Sequence, residues 1–318
     1  MVLSRPTHLR VTPTVGWQVK EQKQCMQVLT NFQLLTFEDE FRKKRKFPMN
    51  NTKLKTAYLL SYVIVLLAMV ASAGGLLFRS VYRDNDFVKM TWLGNDAVTL
   101  FLAVPILVAA LISSQRGSLK AQLVWMGVLD YMLYNYAFYL FGTAFNVFFL
   151  VYVALLGLSI FALIFGLTNL DVNRISQQVR ERTPVKWIGG YFLFVAFGLS
   201  AVYLSQSIGF IFTGQVPSIV TASGNPTNLV FALDLTLLVP WLVIGALWLM
   251  KRQPWGFAIS GILSVKGPLY TLVLTVNTLL VMQAGMGTGA ELPLWITLTA
   301  LGSITSILFY GNMQAMKK

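Results

Sequence analysis

The sequence is short of cysteine, histidine and charge. Cys25 and His8 are single occurrences, and 12% of the 318 residues are charged. One cysteine excludes a disulfide within the chain. One histidine, with the cysteine also ahead of the first apolar run, leaves no ligand set in the membrane for haem, zinc or a dithiol redox pair. We therefore expect no cofactor and no metal site. A Ser–His dyad in the membrane is excluded as well, and the Gly-x-Gly-Asp of intramembrane aspartyl proteases is absent, so no catalytic residue is assigned.

Apolar surface takes the place of what is missing. Hydrophobic residues make up 56% of the chain and mean hydropathy is +0.64. A soluble domain carries about 25% charged residues. The deficit excludes a soluble enzyme and a nucleic-acid module, and it requires a surface that faces lipid. The bilayer is the first expected partner, and nucleic acid is not one.

Apolar runs of about 20 residues mark membrane helices. Eight are expected, near 55–78, 94–114, 119–142, 145–169, 187–213, 228–250, 256–283 and 292–313. The net charge of +13 is distributed to orient them. Eleven Lys and Arg precede residue 56, among them the run Arg42, Lys43, Lys44, Arg45, Lys46. Arg116, Lys120, Arg174, Arg180, Arg182, Lys186, Lys251, Arg252, Lys317 and Lys318 fall on the same side of an eight-span topology. The other side carries only Arg79, Arg83 and Lys89. By the positive-inside rule both termini are cytoplasmic. The basic run beside the first span also suits contact with anionic lipid.

The expected organisation is a basic cytoplasmic tail (1–54), a four-helix membrane repeat (55–170), a cytoplasmic linker (171–186), a second four-helix repeat (187–313) and a short cytoplasmic tail (314–318). Two readings of the first stretch stand side by side. It is a disordered tail with a short surface helix in MQVLTNFQLL, or translation starts at Met49, which opens a typical leader to the first span.

The repeat rests on matched offsets. VPILVAALISSQRGSLKAQLVWMGVLDYMLY pairs with VPWLVIGALWLMKRQPWGFAISGILSVKGPLY. Pro105 and Pro240 open them, and Arg116 and Arg252 mark the turns. Asp130 and Lys266 each follow by 14 residues, and Tyr134 and Tyr270 by 18. Four spans per half keep both halves in one orientation, so a pseudo-twofold axis along the membrane normal is expected.

Ionisable groups in a bilayer are costly and face the bundle interior. Asp130 and Lys266 fall at equivalent repeat positions and equal depth with opposite charge, so an ion pair across the axis is expected. Tyr134 lies one turn beyond Asp130. Tyr270 and Asn277 continue the Lys266 face. Asp234 and Asp96 belong to the outer approach, and Ser205, Gln206 and Ser207 add polarity there. Together these residues read as a substrate or ion pathway, or else as a static polar network that holds the bundle in register. A covalent chromophore on Lys266 finds no further support. Pro105 and Pro240 free backbone carbonyls in midspan and are candidate hinges.

Asp234, Pro240, Arg252-x-Pro254-Trp255-Gly256 and Lys266-Gly267, within Ala232–Gly267, carry a resemblance to a family of uncharacterised multi-pass bacterial inner-membrane proteins. It covers about a tenth of the chain and implies location only. The expected fold is thus an all-α polytopic bundle of eight spans. The leading expected function is a small-solute or ion-coupled permease with a midplane Asp/Lys pair. The other readings are a non-transporting scaffold, sensor or assembly partner, and a lipid-modifying enzyme using Asp96 with Arg79, Arg83, Asp84 and Asp86 at the interface.

Overall fold

The computed structural model describes residues 51–314. The basic run, Cys25, His8, Met49, Lys317 and Lys318 lie outside the described residues, as does most of the expected tail. Among the described residues the chain is helical, with no strand beyond an isolated bridge between Val179 and Met313.

The first leg is α1 (Asn51–Leu77). Its buried face is made of small residues: Ala57, Ser61, Ala68, Ala71, Ser72 and Gly75, with Ile64 between them. Small side chains let neighbouring backbones approach, which is how helices gain packing contacts where lipid is as apolar as leucine. Its other face is Leu59, Leu66 and Val70, all exposed.

The second leg is α2 (Asp86–Val98), a π turn (Thr99–Ala103) and α3 (Val104–Gln115). It starts well before the expected 94, because the Asn85 side chain caps the Val88 N–H at 2.9 Å and opens the helix early. A short turn leads to α4 (Leu119–Gly142), and α5 (Phe149–Thr168) follows. The short α6 (Val172–Gln178) precedes α7 (Val185–Thr213). After α8 (Ser218–Ser223) comes a second broken leg: α9 (Leu229–Leu233), a π turn (Asp234–Leu238) and α10 (Val239–Met250). The last legs are α11 (Pro254–Gln283) and α12 (Leu292–Gly311).

Among the described residues seven legs are long and apolar enough to cross a membrane: α1, α2–α3, α5, α7, α9–α10, α11 and α12. This is a multi-pass membrane-type bundle. The 24-residue α4 is long enough but less apolar. It has little need to be, since it packs against α3, α5, α9 and α11 and buries most of its length. α11 is equally central. Two thirds of its most apolar stretch (67%) is buried, against 22% for the peripheral α12.

The two π turns are a matched feature that spacing alone did not reveal. Each directly precedes a Val-Pro pair. The Val104 N–H donates to Thr99 O and the Val239 N–H to Asp234 O, five residues back. A proline ring collides with the carbonyl four residues before it. Widening the turn by one residue makes room without breaking the leg. Pro105 and Pro240 are both exposed on the outer surface of the bundle. In the π turns themselves Thr99, Ala103, Asp234 and Leu238 are buried, while Phe101 and Thr236 are exposed.

The ends of the bundle differ. At one end the Val179–Met313 bridge is joined by Arg180 N–H to Asn312 O (3.1 Å), Gln314 N–H to Gln178 O (2.8 Å) and Lys120 Nζ to Tyr310 O (3.0 Å). α6 lies across α11 there, with Ile175 fully buried. Arg252, held at φ +53°, donates to Glu181 O and Thr183 O. This basic end is laced shut. The opposite end is looser. It is joined by Asn85 Nδ2 to Ala222 O (3.1 Å), Trp92 Nε1 to Asp84 (3.2 Å) and the Ala144 N–H to Asp84 (2.8 Å).

Candidate functional site

Lys266 is the thirteenth residue of α11 and Asp130 the twelfth of α4. At 1.5 Å per residue each lies about 18 Å from the basic end. The helices touch closely here, because a Cβ on Gly127 would collide with Val265 and the Ile262 carbonyl. Lys266 Nζ sits 3.3 Å from Asp130 Oδ2, with side-chain exposures of 5% and 19%. The same ammonium lies 4.8 Å from the ring centroid of Tyr134, one turn along α4. A cation over an aromatic face is favoured where water is scarce. The lysine is thus held by a carboxylate on one side and a π face on the other.

Tyr134 links this pair to a second acid. Its hydroxyl donates to Asp234 Oδ1 at 2.6 Å, and Tyr203 of α7 donates to Oδ2 at 2.7 Å. Asp234 opens the second π turn and is 1% exposed. Asp96 is held by the same device. Tyr82 donates to Oδ2 at 2.6 Å and Tyr139 to Oδ1 at 2.8 Å. Both acids accept from two neutral hydroxyls, with no ion-pair partner among the described residues. Gly75 of α1 creates the space, since a Cβ there would strike both Asp96 and the Tyr82 hydroxyl. Trp92, Tyr136 and Tyr152 complete the aromatic packing around this acid.

Asn277 meets Asn95 of α2 at 3.2 Å. With its amide turned, it also offers its N–H to Thr91 O at 2.8 Å. In either orientation one amide atom of Asn95 stays unused. Gly94 permits the contact, because a Cβ there would occupy the Asn277 amide.

These two asparagines lie on the wall of a cavity of about 400 Å³ at the looser end. It lies between α2, α11, the α7–α9 connection and the α11–α12 loop. Tyr270 is at its inner limit. The Tyr270 ring meets Tyr134 edge-on, centroids 4.7 Å apart. The expected residues therefore divide. Tyr270 and Asn277 line the cavity. Tyr134, Asp130, Lys266 and Asp234 form a connected group behind it. Asp96 belongs to a separate cluster, ten residues into its leg and inside the bundle, not at the outer end where it was expected. Ser205 and Ser207 bond carbonyls of their own helix and line nothing here.

Tyr82, Tyr139, Tyr203 and Asn95 were missed by sequence reasoning. Their partners lie 14, 43, 31 and 182 residues away, and no helical period links them. For Tyr139 a signal was available in the tyrosine-rich run of α4, YMLYNYAFYLF. It reads as packing, yet a buried phenol usually finds a hydrogen-bond partner, as Tyr131, Tyr134 and Tyr139 of that run do and Tyr136 does not.

Among the described residues no cluster of His, Cys, Asp and Glu is suited to a metal ion. Compared with protein-family models, with curated proteins and with solved structures, the chain matches none.

Proposed function

We propose that the protein is a small-solute permease of the bacterial inner membrane. It crosses the membrane eight times with α4 as the buried eighth leg, and both termini are cytoplasmic. The distribution of Lys and Arg supports this orientation, and it places the cavity on the outer side. Two parallel repeats, α1–α5 and α7–α12, are supported by the paired π turns and by Asp130 and Lys266 meeting between equivalent legs.

The observation that carries the reading is the cavity that ends at Tyr270, with the Tyr134–Lys266–Asp130 and Tyr134–Asp234 contacts directly behind that ring. A polar chain behind a sealed aromatic pair is a pathway interrupted at one point, and movement of Tyr270 away from Tyr134 would join its two parts. The laced basic end makes this the outward-open, inward-closed arrangement of an alternating-access protein. The Asp/Lys pair is the coupling element, and the basic N-terminal run contacts anionic lipid.

The test is water access. Single cysteines at Tyr270, Asn277 and Tyr134, in a Cys25→Ser background, are exposed to a small membrane-impermeant thiol reagent from each side. A permease labels at Tyr270 and Asn277 from the cavity side, and at Tyr134 from at least one side. Folded protein in which none of the three reacts would put the non-transporting scaffold, sensor or assembly partner first.

A further inference from the structure

We infer that the cavity receives an uncharged, hydroxyl-rich solute of sugar type rather than an ion. This deepens the permease reading and rests on it. Among the described residues lining the cavity only Glu291 is charged, and it is an exposed residue at the rim. No Lys or Arg lines it. Lys89, at the same end, is engaged with Asp86 at 3.1 Å. An anionic solute would be stripped of water with no counter-charge in return, which is heavily unfavourable. A cation would find one solvated carboxylate, worth little at the surface.

What the walls do offer suits hydroxyl groups. Asn95, Asn225, Asn228 and Asn277 present carboxamides, and Thr278 and Thr227 present hydroxyls. An amide donates from nitrogen and accepts at oxygen, which matches a hydroxyl that does both. Capacity is left over. One amide atom of Asn95 is unused, the Asn225 side chain bonds nothing among the described residues, and Asn228 spends its oxygen on the Phe231 N–H while keeping its NH2 free. Phe87, Phe138 and Trp295 line the same space. Aromatic faces pack against the C–H surfaces of a pyranose ring while the amides take its edge. Ligand sites commonly combine such apolar walls with a few oriented polar groups, and 400 Å³ falls in their usual range of about 300–1,000 Å³.

The experiment uses the full chain in Cys25→Ser background with a single cysteine at Thr278, and a second variant with the cysteine at Ser80. Ser80 is exposed in the same outer face and away from the cavity lining. Thiol labelling is timed with maltose, choline or citrate present. Expected is at least fivefold slowing by maltose at Thr278, none at Ser80, and little effect of choline or citrate. Labelling without protection by maltose, or with protection by choline or citrate alone, overturns the sugar assignment and leaves the permease reading standing. Failure of Thr278→Cys to label at all means the cavity is not open to water, and sinks both.

Discussion

Ser306 on α12 donates its hydroxyl to the carbonyl of Ser264 on α11, four residues before Pro268. Proline has no N–H to offer that carbonyl, and in a membrane no water replaces it. The neighbouring helix supplies the missing donor, and Gly302 makes the approach possible by leaving room for the Pro268 ring. Lys266 stands between the freed carbonyl and the proline. The backbone hydrogen bond that the proline removes beside the lysine is therefore replaced from α12.

This arrangement predicts a non-additive pair. Ser306→Ala should cost about 1 kcal/mol, the usual worth of an intramolecular hydrogen bond, with an added penalty for a bare buried carbonyl. In a Pro268→Ala background the same change should cost little, because the residue 268 N–H then satisfies Ser264. Unfolding of the four proteins in detergent gives the cycle. Equal costs in both backgrounds would sever the link between Ser306 and the proline.

Lys266 and Asp130 should behave as a unit. Removing one partner leaves a buried charge alone, which typically costs about 3–5 kcal/mol. Asp130→Asn and Lys266→Met should each destabilise by roughly that amount. The double variant should recover most of the loss, because no uncompensated charge remains. A double variant as unstable as the sum of the singles would remove the pairing.

Asp234 depends on two hydroxyls. Tyr134→Phe and Tyr203→Phe each leave a buried carboxyl oxygen without its donor, with expected costs of about 1–3 kcal/mol. Tyr82→Phe should do the same through Asp96. Because the Tyr134 ring also covers Lys266, Tyr134→Ala should alter labelling at a cysteine placed at Tyr270. Tyr203→Phe should leave that labelling unchanged.

The glycines give a paired control. Gly94→Ala drives a methyl into the Asn277 amide and should destabilise by about 1–3 kcal/mol, as overpacking does. It should also slow labelling in the cavity by displacing Asn277. Gly157 on α5 has open space where a Cβ would stand. Gly157→Ala should therefore be neutral or stabilising by up to about 1 kcal/mol, since alanine is the better helix former. A similar loss at both positions would indicate that the close approach at Gly94 is not what matters.

Arg252 tests the lacing of the basic end. Its backbone is in the left-handed region, where glycine is at ease and other residues are strained. Arg252→Gly should preserve the turn while removing the donors to Glu181 O and Thr183 O. The expected result is unchanged or slightly raised stability, with faster labelling from the basic side of a cysteine at Ser176. Unchanged labelling would assign the closure to α6 and the Val179–Met313 bridge instead.

The apolar legs were legible because membrane crossing is a local requirement: about 20 residues must each tolerate lipid, and composition records that directly. The Asp130–Lys266 meeting was legible for a related reason. A fixed rise per residue turns matched sequence offsets into matched depth, and an isolated charge at that depth needs an opposite one. The short hydropathy of α4 was readable only as a span, not as the buried centre of the bundle. Its polarity makes sense once α3, α5, α9 and α11 are seen around it.

The rest was decided by tertiary packing. Which tyrosine reaches which aspartate depends on how helices are rotated about their axes, and no period in one helix encodes its neighbour's rotation. The outward set of Pro105 and Pro240 follows from the π turns, which shift the face presented beyond them. The Asn95–Asn277 contact needs Gly94 opposite, a relation between residues 182 apart in the chain. The cavity is the space left when all these contacts are satisfied together. The sequence by itself determined which segments live in the membrane and at what depth the charges lie, because those are properties of single helices. Only the tertiary structure decided which side chains meet, because that depends on pairs of helices and on the gaps glycine leaves between them.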